Sequence, residues 1–151
     1  MCLITNDATI HTAKENILVY KVLTFGGFSP YEEFPYKFFK KYIVQKLGIN
    51  SSLNYFLVDK GFHTFICKKD AVRWRKTELF QKVSLFIIPK GSQYVLGVWY
   101  STCVLNIVSD QIIRIGGGLF AWWWKRKNTF VEFSDYDPES LVKLKQYYNI
   151  Q

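Results

Sequence analysis

The sequence predicts a strand-rich α+β fold: a single domain over residues 1–151 with a mostly antiparallel, twisted sheet or partial barrel, one or two short helices and a C-terminal helix. Val, Ile, Tyr, Phe and Thr dominate the apolar content, and these residues fit the pleated surface of a sheet better than they fit helices. Short apolar stretches are separated by small or polar turns along most of the chain. A length of 151 residues is the usual size of one domain and is enough to bury one core.

The first half of the chain begins with a clear strand and continues with an ambiguous segment. Residues 17–23 (ILVYKVL) predict a strand, and Gly26 and Gly27 predict the turn that follows. Residues 38–47 (FFKKYIVQKL) place apolar side chains at helical spacing, with Gly48 in the C-cap position. Their aromatic and β-branched content also suits a strand, but we assign the segment as a helix.

A hairpin and a basic helix are expected next. Residues 55–58 and 62–66 predict two strands, which the turn Asp59-Lys60-Gly61 joins as a hairpin. Residues 68–76 (KKDAVRWRK) have few breakers and predict a short basic helix that crosses the sheet.

The second half is predicted as a series of strands closed by a helix. The strands are expected at residues 83–88, 94–100, 103–108, 111–115, 119–124 and 129–133. Near the end of the chain, Asp137 predicts a helix N-cap and Pro138 the first helical position. Leu141, Leu144 and Tyr148 share one face at helical spacing, so this helix is expected to pack on the sheet.

Charge and aromatic content indicate the kind of partner. Twenty Lys and Arg against twelve Asp and Glu give a formal net charge of +8, which favours anionic partners such as a nucleotide or nucleic acid. The same charge would also keep an aromatic-rich chain in solution. Aromatic residues make up 19% of the chain, which is more than a small core needs, so some rings are expected at a recognition surface.

Cysteine, histidine and targeting patterns argue against several classes of protein. Three cysteines without CxxC spacing and two histidines without an HExxH motif predict no disulfide framework, no metal site and no cofactor. The first residues lack the apolar run of a signal peptide. No apolar stretch reaches ~18 residues, so we expect a cytoplasmic protein with no membrane partner.

The predicted ligand site has two parts. Lys90 and Ser92 lie in the turn IPKGS, which combines a cation, a glycine and a hydroxyl as phosphate-binding loops do, although an ordinary turn at the end of a strand explains these residues equally well. Lys21 and His63 are expected to hold phosphate or ribose together with this turn. Tyr20 and Tyr31 are expected to stack on a base.

The segment AWWWKRK places stacking surfaces next to positive charge. Its candidate residues, for either a nucleic-acid surface or an oligomer interface, are Trp122, Trp123, Trp124, Lys125 and Arg126. In the predicted strand, Trp122 and Trp124 would point to one face and Trp123 to the other, so at least one face would be core or interface.

The motifs MCLIT, VYKVL, GFHTF and IPKGS occur in this order within residues 1–115. In this combination the chain resembles a family of small proteins from gut Bacteroidetes and their phages, which implies a phage or mobile-element provenance. VYKVL, GFHTF and IPKGS are also similar to strands of ADP-ribosyltransferase-like folds. That similarity implies a pocket shaped for nicotinamide or ADP-ribose, with Glu132 as the stand-in for the Gln/Glu-x-Glu glutamate of that family.

Three functions remain open at this point. The first is a non-enzymatic binding protein that captures a phosphate-bearing, nucleotide-like ligand, with anti-defence sequestration implied by the provenance. The second is an enzyme, either ADP-ribosyltransferase-like or with Cys2 as an N-terminal nucleophile. The third is a structural or interaction protein of a virion or an inhibitor of a host protein. The expected partners are an anionic small molecule, nucleic acid or a second copy of the chain, in the host cytoplasm if the protein is phage-encoded.

Overall fold

The computed structural model describes residues 3–24, 27–29, 34–75, 81–99, 104–116 and 119–150, with the backbone alone for residues 120 and 121. Cys2, Tyr31 and Cys103 lie outside the described residues. The strands are β1 (Leu3–Thr5), β2 (His11–Thr12), β3 (Ile17–Thr24), β4 (Lys41–Ile43), β5 (Gly48–Ser51), β6 (Phe56–Lys60), β7 (Phe62–Phe65), β8 (Gln81–Ile88), β9 (Gln93–Trp99), β10 (Leu105–Ser109), β11 (Gln111–Gly116) and β12 (Val131–Glu132). The helices are α1 (Lys68–Trp74), α2 (Leu119–Lys127), α3 (Phe133–Tyr136) and α4 (Pro138–Tyr147).

Ten strands follow one path through a curled sheet, in the order β4-β11-β8-β3-β7-β10-β9-β1-β6-β5. In addition, β2 pairs with β9, and β12 pairs with β3. The pairing of β12 with β3 is parallel, and the other pairings between these strands are antiparallel. The sheet forms a curled half-barrel with a few short helices, which confirms the prediction of a strand-rich fold with a mostly antiparallel twisted sheet or partial barrel.

β6 and β7 follow each other directly in the chain but do not pair with each other. β6 pairs with β1 and β5, whereas β7 pairs with β3 and β10. The partner changes at Gly61, which has a φ of +146°. A Cβ atom there would lie 2.5 Å from Cγ1 of Val108 and 2.8 Å from Cδ2 of Leu47, so the bend requires glycine. The predicted hairpin is therefore wrong, because the extended chain bends at Gly61 and joins two different parts of the sheet.

Five neighbouring strands of the sheet, β7-β10-β9-β1-β6, form a closed circuit. Four of its links are strand pairings, and the fifth is the backbone at Gly61 that joins β6 to β7. A small apolar cluster of buried residues lies among these strands and the neighbouring chain: Leu3, Leu47, Val58, Val95 and Val108.

β3 is a central strand that is buried on both faces. Ile17, Val19 and Leu23 belong to the largest apolar cluster, and Leu18, Tyr20 and Val22 belong to a second one. α3 and α4 pack on the first cluster through partly buried apolar residues. Ala71 of α1 and Trp124 of α2 are buried in the second cluster. The short helices thus cover the two faces of the sheet.

α4 confirms the predicted C-terminal helix. The Asp137 carboxylate accepts a hydrogen bond from the backbone N–H of Ser140 at 3.1 Å, and Pro138 stands in the first turn. Leu141, Leu144 and Tyr148 pack against the largest cluster, as their spacing predicts. α1 likewise confirms the short basic helix.

The helix predicted for residues 38–47 is wrong. Lys41, Tyr42 and Ile43 form the edge strand β4, which pairs with β11 and alternates exposed, buried, exposed. Phe39 has a φ of +58°, which a right-handed helix does not accommodate. Pairing with β11 therefore decides this segment, and the helical spacing of its apolar residues does not.

The strand predicted for residues 119–124 is also wrong, because α2 occupies this segment. β11 already has β4 on one side and β8 on the other, so it offers no free edge to a following strand. The helix instead pairs aromatic and cationic side chains one turn apart: Arg126 lies 4.7 Å from the ring centre of Trp122, and Lys127 lies 4.4 Å from that of Trp123. Neither α2 nor any other helix of the described residues has the length and apolar character needed to cross a membrane.

Candidate functional site

Lys21 and His63, two of the predicted ligand-binding residues, lie together. Both are buried, and they line a cavity of about 300 Å³ with Ser29, Tyr36 and Tyr42. Lys21 Nζ donates a hydrogen bond to the backbone carbonyl of His63 at 2.8 Å and lies 5.5 Å from the ring centre of Tyr36. The structure therefore brings these two residues together, although the Lys21 ammonium is already engaged by the fold.

The His63 ring lies between two backbone carbonyl oxygens, and a neutral imidazole donates a hydrogen bond to only one of them at a time. Nε2 lies 3.0 Å from the Val58 carbonyl oxygen, and Nδ1 lies 3.2 Å from that of Gly61. Burial, with a further contribution from the charge of Lys21, lowers the pKa of His63 to about 4, so the ring is neutral at neutral pH. His63 therefore joins the two sides of the Gly61 bend and has no positive charge to offer a phosphate.

Lys90 and Ser92 lie in the tight turn between β8 and β9, and they are not among the residues that line the cavity of Lys21 and His63. Ser92 is fully buried, and its hydroxyl donates to the Pro89 carbonyl at 2.6 Å. Three successive N–H groups of the turn, those of residues 90–92, donate to Asn16 Oδ1, the Ala13 carbonyl and the Pro89 carbonyl. A phosphate-binding loop needs N–H groups that are available to the anion. The phosphate-cradling role expected of this turn therefore does not fit its structure.

The three tryptophans of the predicted surface lie on α2 in different environments. Trp124 is buried, with its ring 5.9 Å from that of Phe130, whereas Trp122 and Trp123 are exposed. Lys125 lies 5.9 Å from the ring centre of Phe130, and Arg126 covers Trp122. Trp124 therefore belongs to the core, and the two exposed tryptophans form a surface with the helix cations.

A larger cavity, of about 560 Å³, lies beside α1 and α4, and we call it the α1–α4 cavity. Its volume falls within the range of roughly 300–1,000 Å³ that is common for small-molecule sites. Tyr20 of β3 and Glu132 of β12 line it together with residues from both helices. Its apolar lining residues are Ile66, Leu105, Leu141 and Ile150. The cavity thus combines an apolar wall with titratable groups.

Four cationic side chains line the α1–α4 cavity: Lys68, Lys69 and Arg73 from α1, and Lys145 from α4. Within the described residues, none of the four side chains forms a hydrogen bond or a salt bridge. Asp70 lies among them, and burial raises the pKa of its carboxyl while Arg73 and Lys145 act in the opposite direction. The cations of both helices therefore act on the same small region, and their charge exceeds that of the two acidic lining residues, Asp70 and Glu132.

Tyr20 contributes its hydroxyl to this cavity. The ring is buried in the second apolar cluster, and the hydroxyl donates a hydrogen bond to Oε1 of Glu132 at 3.2 Å. Burial first, and then the Glu132 carboxylate, raises the pKa of the phenol, so it stays protonated as the donor at neutral pH. The expectation that the Tyr20 ring stacks on a base is corrected here, since its faces are covered by the core.

Sequence reasoning found some of these residues but not their grouping. It identified the basic helix of residues 68–76, Tyr20 and Glu132, each for a different reason, and it did not single out Lys145. Lys145 follows Leu141 and Leu144 in the helix predicted to pack on the sheet, so its position on a helix beside apolar residues was the available signal. Nothing local in the sequence indicates that α1 and α4 border one cavity.

The α1–α4 cavity can hold an anion by charge and a flat apolar group against its aliphatic wall. No group of three His, Cys, Asp or Glu side chains is placed to bind a metal ion in the part of the chain that the structure describes. Comparisons with protein-family models, curated proteins and solved structures give no match to this chain.

Proposed function

We propose that this protein binds a phosphate-bearing small molecule of nucleotide size in the α1–α4 cavity. The observation that carries the proposal is the convergence of four cationic side chains on one cavity of about 560 Å³. Among the described residues none of the four side chains forms a hydrogen bond or a salt bridge, although Arg73 and Lys145 act on Asp70 at longer range. Ionised donors make the stronger hydrogen bonds to phosphate oxygens, and Arg73 can do so with two N–H groups at once. The aliphatic side of the cavity would take the base or another flat apolar group.

The proposed role is capture and not turnover. We take the chain as one α+β domain that acts in the cytoplasm, which is the host cytoplasm if the protein is phage-encoded. Sequestration of a nucleotide-like signal would then serve as an anti-defence function. It requires affinity and a stable cavity, and it requires no reacting group.

Calorimetric titration with ADP and, separately, with inorganic phosphate tests the proposal. ADP should bind more tightly than phosphate, because it fills the apolar wall as well as the cationic side. The double variant Arg73→Gln, Lys145→Gln should lose roughly tenfold or more in affinity for ADP, since two charge-assisted contacts are removed. Lys143→Gln is the matched control, because Lys143 lies on the same helix but lines a different cavity.

Cys67 gives an independent readout, because this exposed thiol lines the same cavity. In a Cys2→Ser, Cys103→Ser background it is the one remaining cysteine of the chain. Bound ADP should slow its alkylation by a maleimide, and the Arg73→Gln, Lys145→Gln substitutions should abolish this protection. The proposal fails if ADP and other nucleotides neither bind nor protect Cys67, or if the double variant binds ADP as the wild type does.

The position of Glu132 favours a second candidate, a transferase of the ADP-ribosyl type. Glu132 lies on the wall of the cavity with Tyr20 as its hydrogen-bond donor, so a carboxylate is available to stabilise positive charge that develops on a ribose. The N-glycosidic bond of NAD would break, nicotinamide would leave with the bonding electrons, and water or an acceptor hydroxyl would form the new bond and lose its proton. Chromatographic detection of nicotinamide released from NAD tests this, and Glu132→Gln should abolish release while retaining NAD binding. Without nicotinamide release from the wild type, this candidate is rejected and capture stands.

A further inference from the structure

A second surface, which shares no residue with the α1–α4 cavity, consists of exposed apolar side chains. We call it the aromatic patch, and its residues are Phe38, Phe39, Leu119, Trp122 and Trp123. Leu119 is 81% exposed, Trp122 56% and Trp123 46%. An apolar depression of about 400 Å³ is lined, among the residues that the structure describes, by Phe39, Leu119, Trp122 and Trp123. Contiguous exposed apolar surface of this kind marks a contact with a partner or a membrane.

The aromatic patch is held in place by the fold. The Phe39 and Trp123 rings meet edge to face with their centres 5.8 Å apart. The Arg114 guanidinium lies 4.0 Å from the ring centre of Phe38. Gly116, with a φ of +78°, allows Phe38 to approach the end of β11, since a Cβ there would collide with the ring. Two separate segments of the chain are thus fixed beside each other to form one apolar surface.

The two segments that carry the aromatic patch are strongly basic. Residues 34–47 contain four lysines, residues 119–131 contain three cationic residues, and neither segment contains an Asp or a Glu. Arg126 and Lys127 extend from the patch itself, over Trp122 and Trp123. A second copy of this chain placed on the patch would bring like charges together, whereas an anionic partner would be attracted. Charge therefore selects an anionic occupant that also accepts apolar side chains.

We propose that the aromatic patch binds the surface of an anionic phospholipid bilayer. Tryptophan and phenylalanine insert at the level of the headgroups, and neighbouring cations pair with acidic lipids. This contact is peripheral and requires no spanning helix. It departs from the expectation of no membrane partner, which rested on the lack of an apolar stretch long enough to span a bilayer. Leu119, the most exposed member, would enter the acyl boundary together with the adjacent tryptophans.

The ring geometry favours lipid over single-stranded nucleic acid. A base-stacking platform presents open, parallel ring faces. Here Trp122 and Trp123 each already have a cation over the ring, and Phe39 meets Trp123 at an interplanar angle of 64°. The described lining of the depression, one leucine and three aromatic side chains, contributes no side-chain hydrogen-bond acceptor for a base edge. A bilayer needs only apolar depth and a cationic border.

Vesicle flotation and the emission maximum of tryptophan test this proposal. Vesicles of phosphatidylglycerol and phosphatidylcholine in equal amounts should bind the protein and shift its emission to shorter wavelength, whereas phosphatidylcholine alone should bind it weakly. Trp122→Ser with Trp123→Ser should lower the partition coefficient by roughly tenfold or more. Arg126→Gln with Lys127→Gln should remove most of the difference between the two vesicle types. Tyr147→Ser is the control, because Tyr147 is an exposed ring outside the patch and its loss should leave vesicle binding unchanged.

Three results would overturn the proposal. One is the absence of vesicle binding by the wild type, or equal binding by the wild type and the tryptophan variant. Circular dichroism checks that the variant is folded. A second is binding of a labelled oligothymidylate that depends on Trp122 and Trp123 in a protein that ignores vesicles, which would assign the patch to nucleic acid. A third is a wild-type dimer that the tryptophan substitutions convert to a monomer by light scattering, which would assign the patch to self-association.

Discussion

The Tyr20 hydroxyl donates a hydrogen bond to Oε1 of Glu132 at 3.2 Å, and so links the central strand β3 to the two-residue strand β12 beside it. Glu132 is exposed on its other side, and both residues line the α1–α4 cavity. One buried partner therefore fixes the position of a carboxylate that is otherwise open to solvent. Any ligand in the cavity meets Glu132 in this orientation.

Tyr20→Phe should keep the packing of the ring and lose this hydrogen bond. We expect a loss of about 1 kcal/mol in the free energy of unfolding at neutral pH, measured by urea denaturation. The raised pKa of Tyr20 means that its contribution is complete below the ordinary value of 10.0 and is lost as the pH rises above it, since the unfolded state then releases the proton more readily. The stability difference between wild type and variant should therefore narrow above pH 10, and a constant difference would contradict this assignment.

His63 should make folding sensitive to mild acid. Its pKa is lowered from 6.5 to about 4, so its contribution is complete above pH 6.5 and is lost as the pH falls towards 4. Between pH 7 and pH 5 the wild type should lose about 2 kcal/mol more stability than His63→Gln, because one pKa unit corresponds to about 1.4 kcal/mol. Urea denaturation at the two pH values measures this. Parallel losses in the two proteins would show that His63 is not responsible.

Gly61→Ala should be much more destabilising than Gly91→Ala. Both glycines have positive φ, +146° and +89°, so both substitutions introduce backbone strain of about 1–3 kcal/mol. A Cβ at Gly91 would meet nothing within 4 Å, whereas a Cβ at Gly61 would collide with Val108 and Leu47. Thermal denaturation of the two variants isolates this collision. Equal losses would mean that the chain around Gly61 relaxes freely.

Asp137→Ala should destabilise α4 and the cavity that this helix borders. Its two carboxylate oxygens accept hydrogen bonds from the backbone N–H of Ser140 at 3.1 Å and from the Ser140 hydroxyl at 2.6 Å. Loss of an N-cap typically costs about 1 kcal/mol, and Asp137→Asn should recover most of it. Urea denaturation measures the stability, and the rate of Cys67 alkylation reports on the cavity. The same loss in the Asn and Ala variants would argue against capping.

Sequence patterns correctly predicted those elements whose structure is determined by residues close to them in the chain. The cap at Asp137, the Pro138 that follows and the apolar spacing behind it are all features of one short segment, and α4 forms as they indicate. The segment of residues 38–47 was different, because its structure depends on β11, more than sixty positions away in the chain. The α2 segment was assigned to a strand from its aromatic content, and that preference has effect only where a partner strand has a free edge.

The candidate site was less accessible to sequence reasoning than the fold. Lys21 and His63 were identified as polar residues on strands, which is correct, but burial and the carbonyls around them engage these side chains. Ser92 was predicted to bind phosphate because it lies in the IPKGS turn, but its hydroxyl donates a hydrogen bond to the Pro89 carbonyl within that turn. The α1–α4 cavity depends on the juxtaposition of α1, near the middle of the chain, and α4, near its end, and no spacing rule encodes that.

The bend at Gly61 has a consequence for how the molecule comes apart. β6 and β7 are one uninterrupted stretch of backbone. Loss of the pairing of β6 therefore also displaces β7, although the two strands pair with different neighbours. Hydrogen–deuterium exchange should then give the same free energy of opening for the amides of Val58 and Thr64, even though their sheet neighbours differ. The circuit would open as one cooperative unit, with no half that melts first.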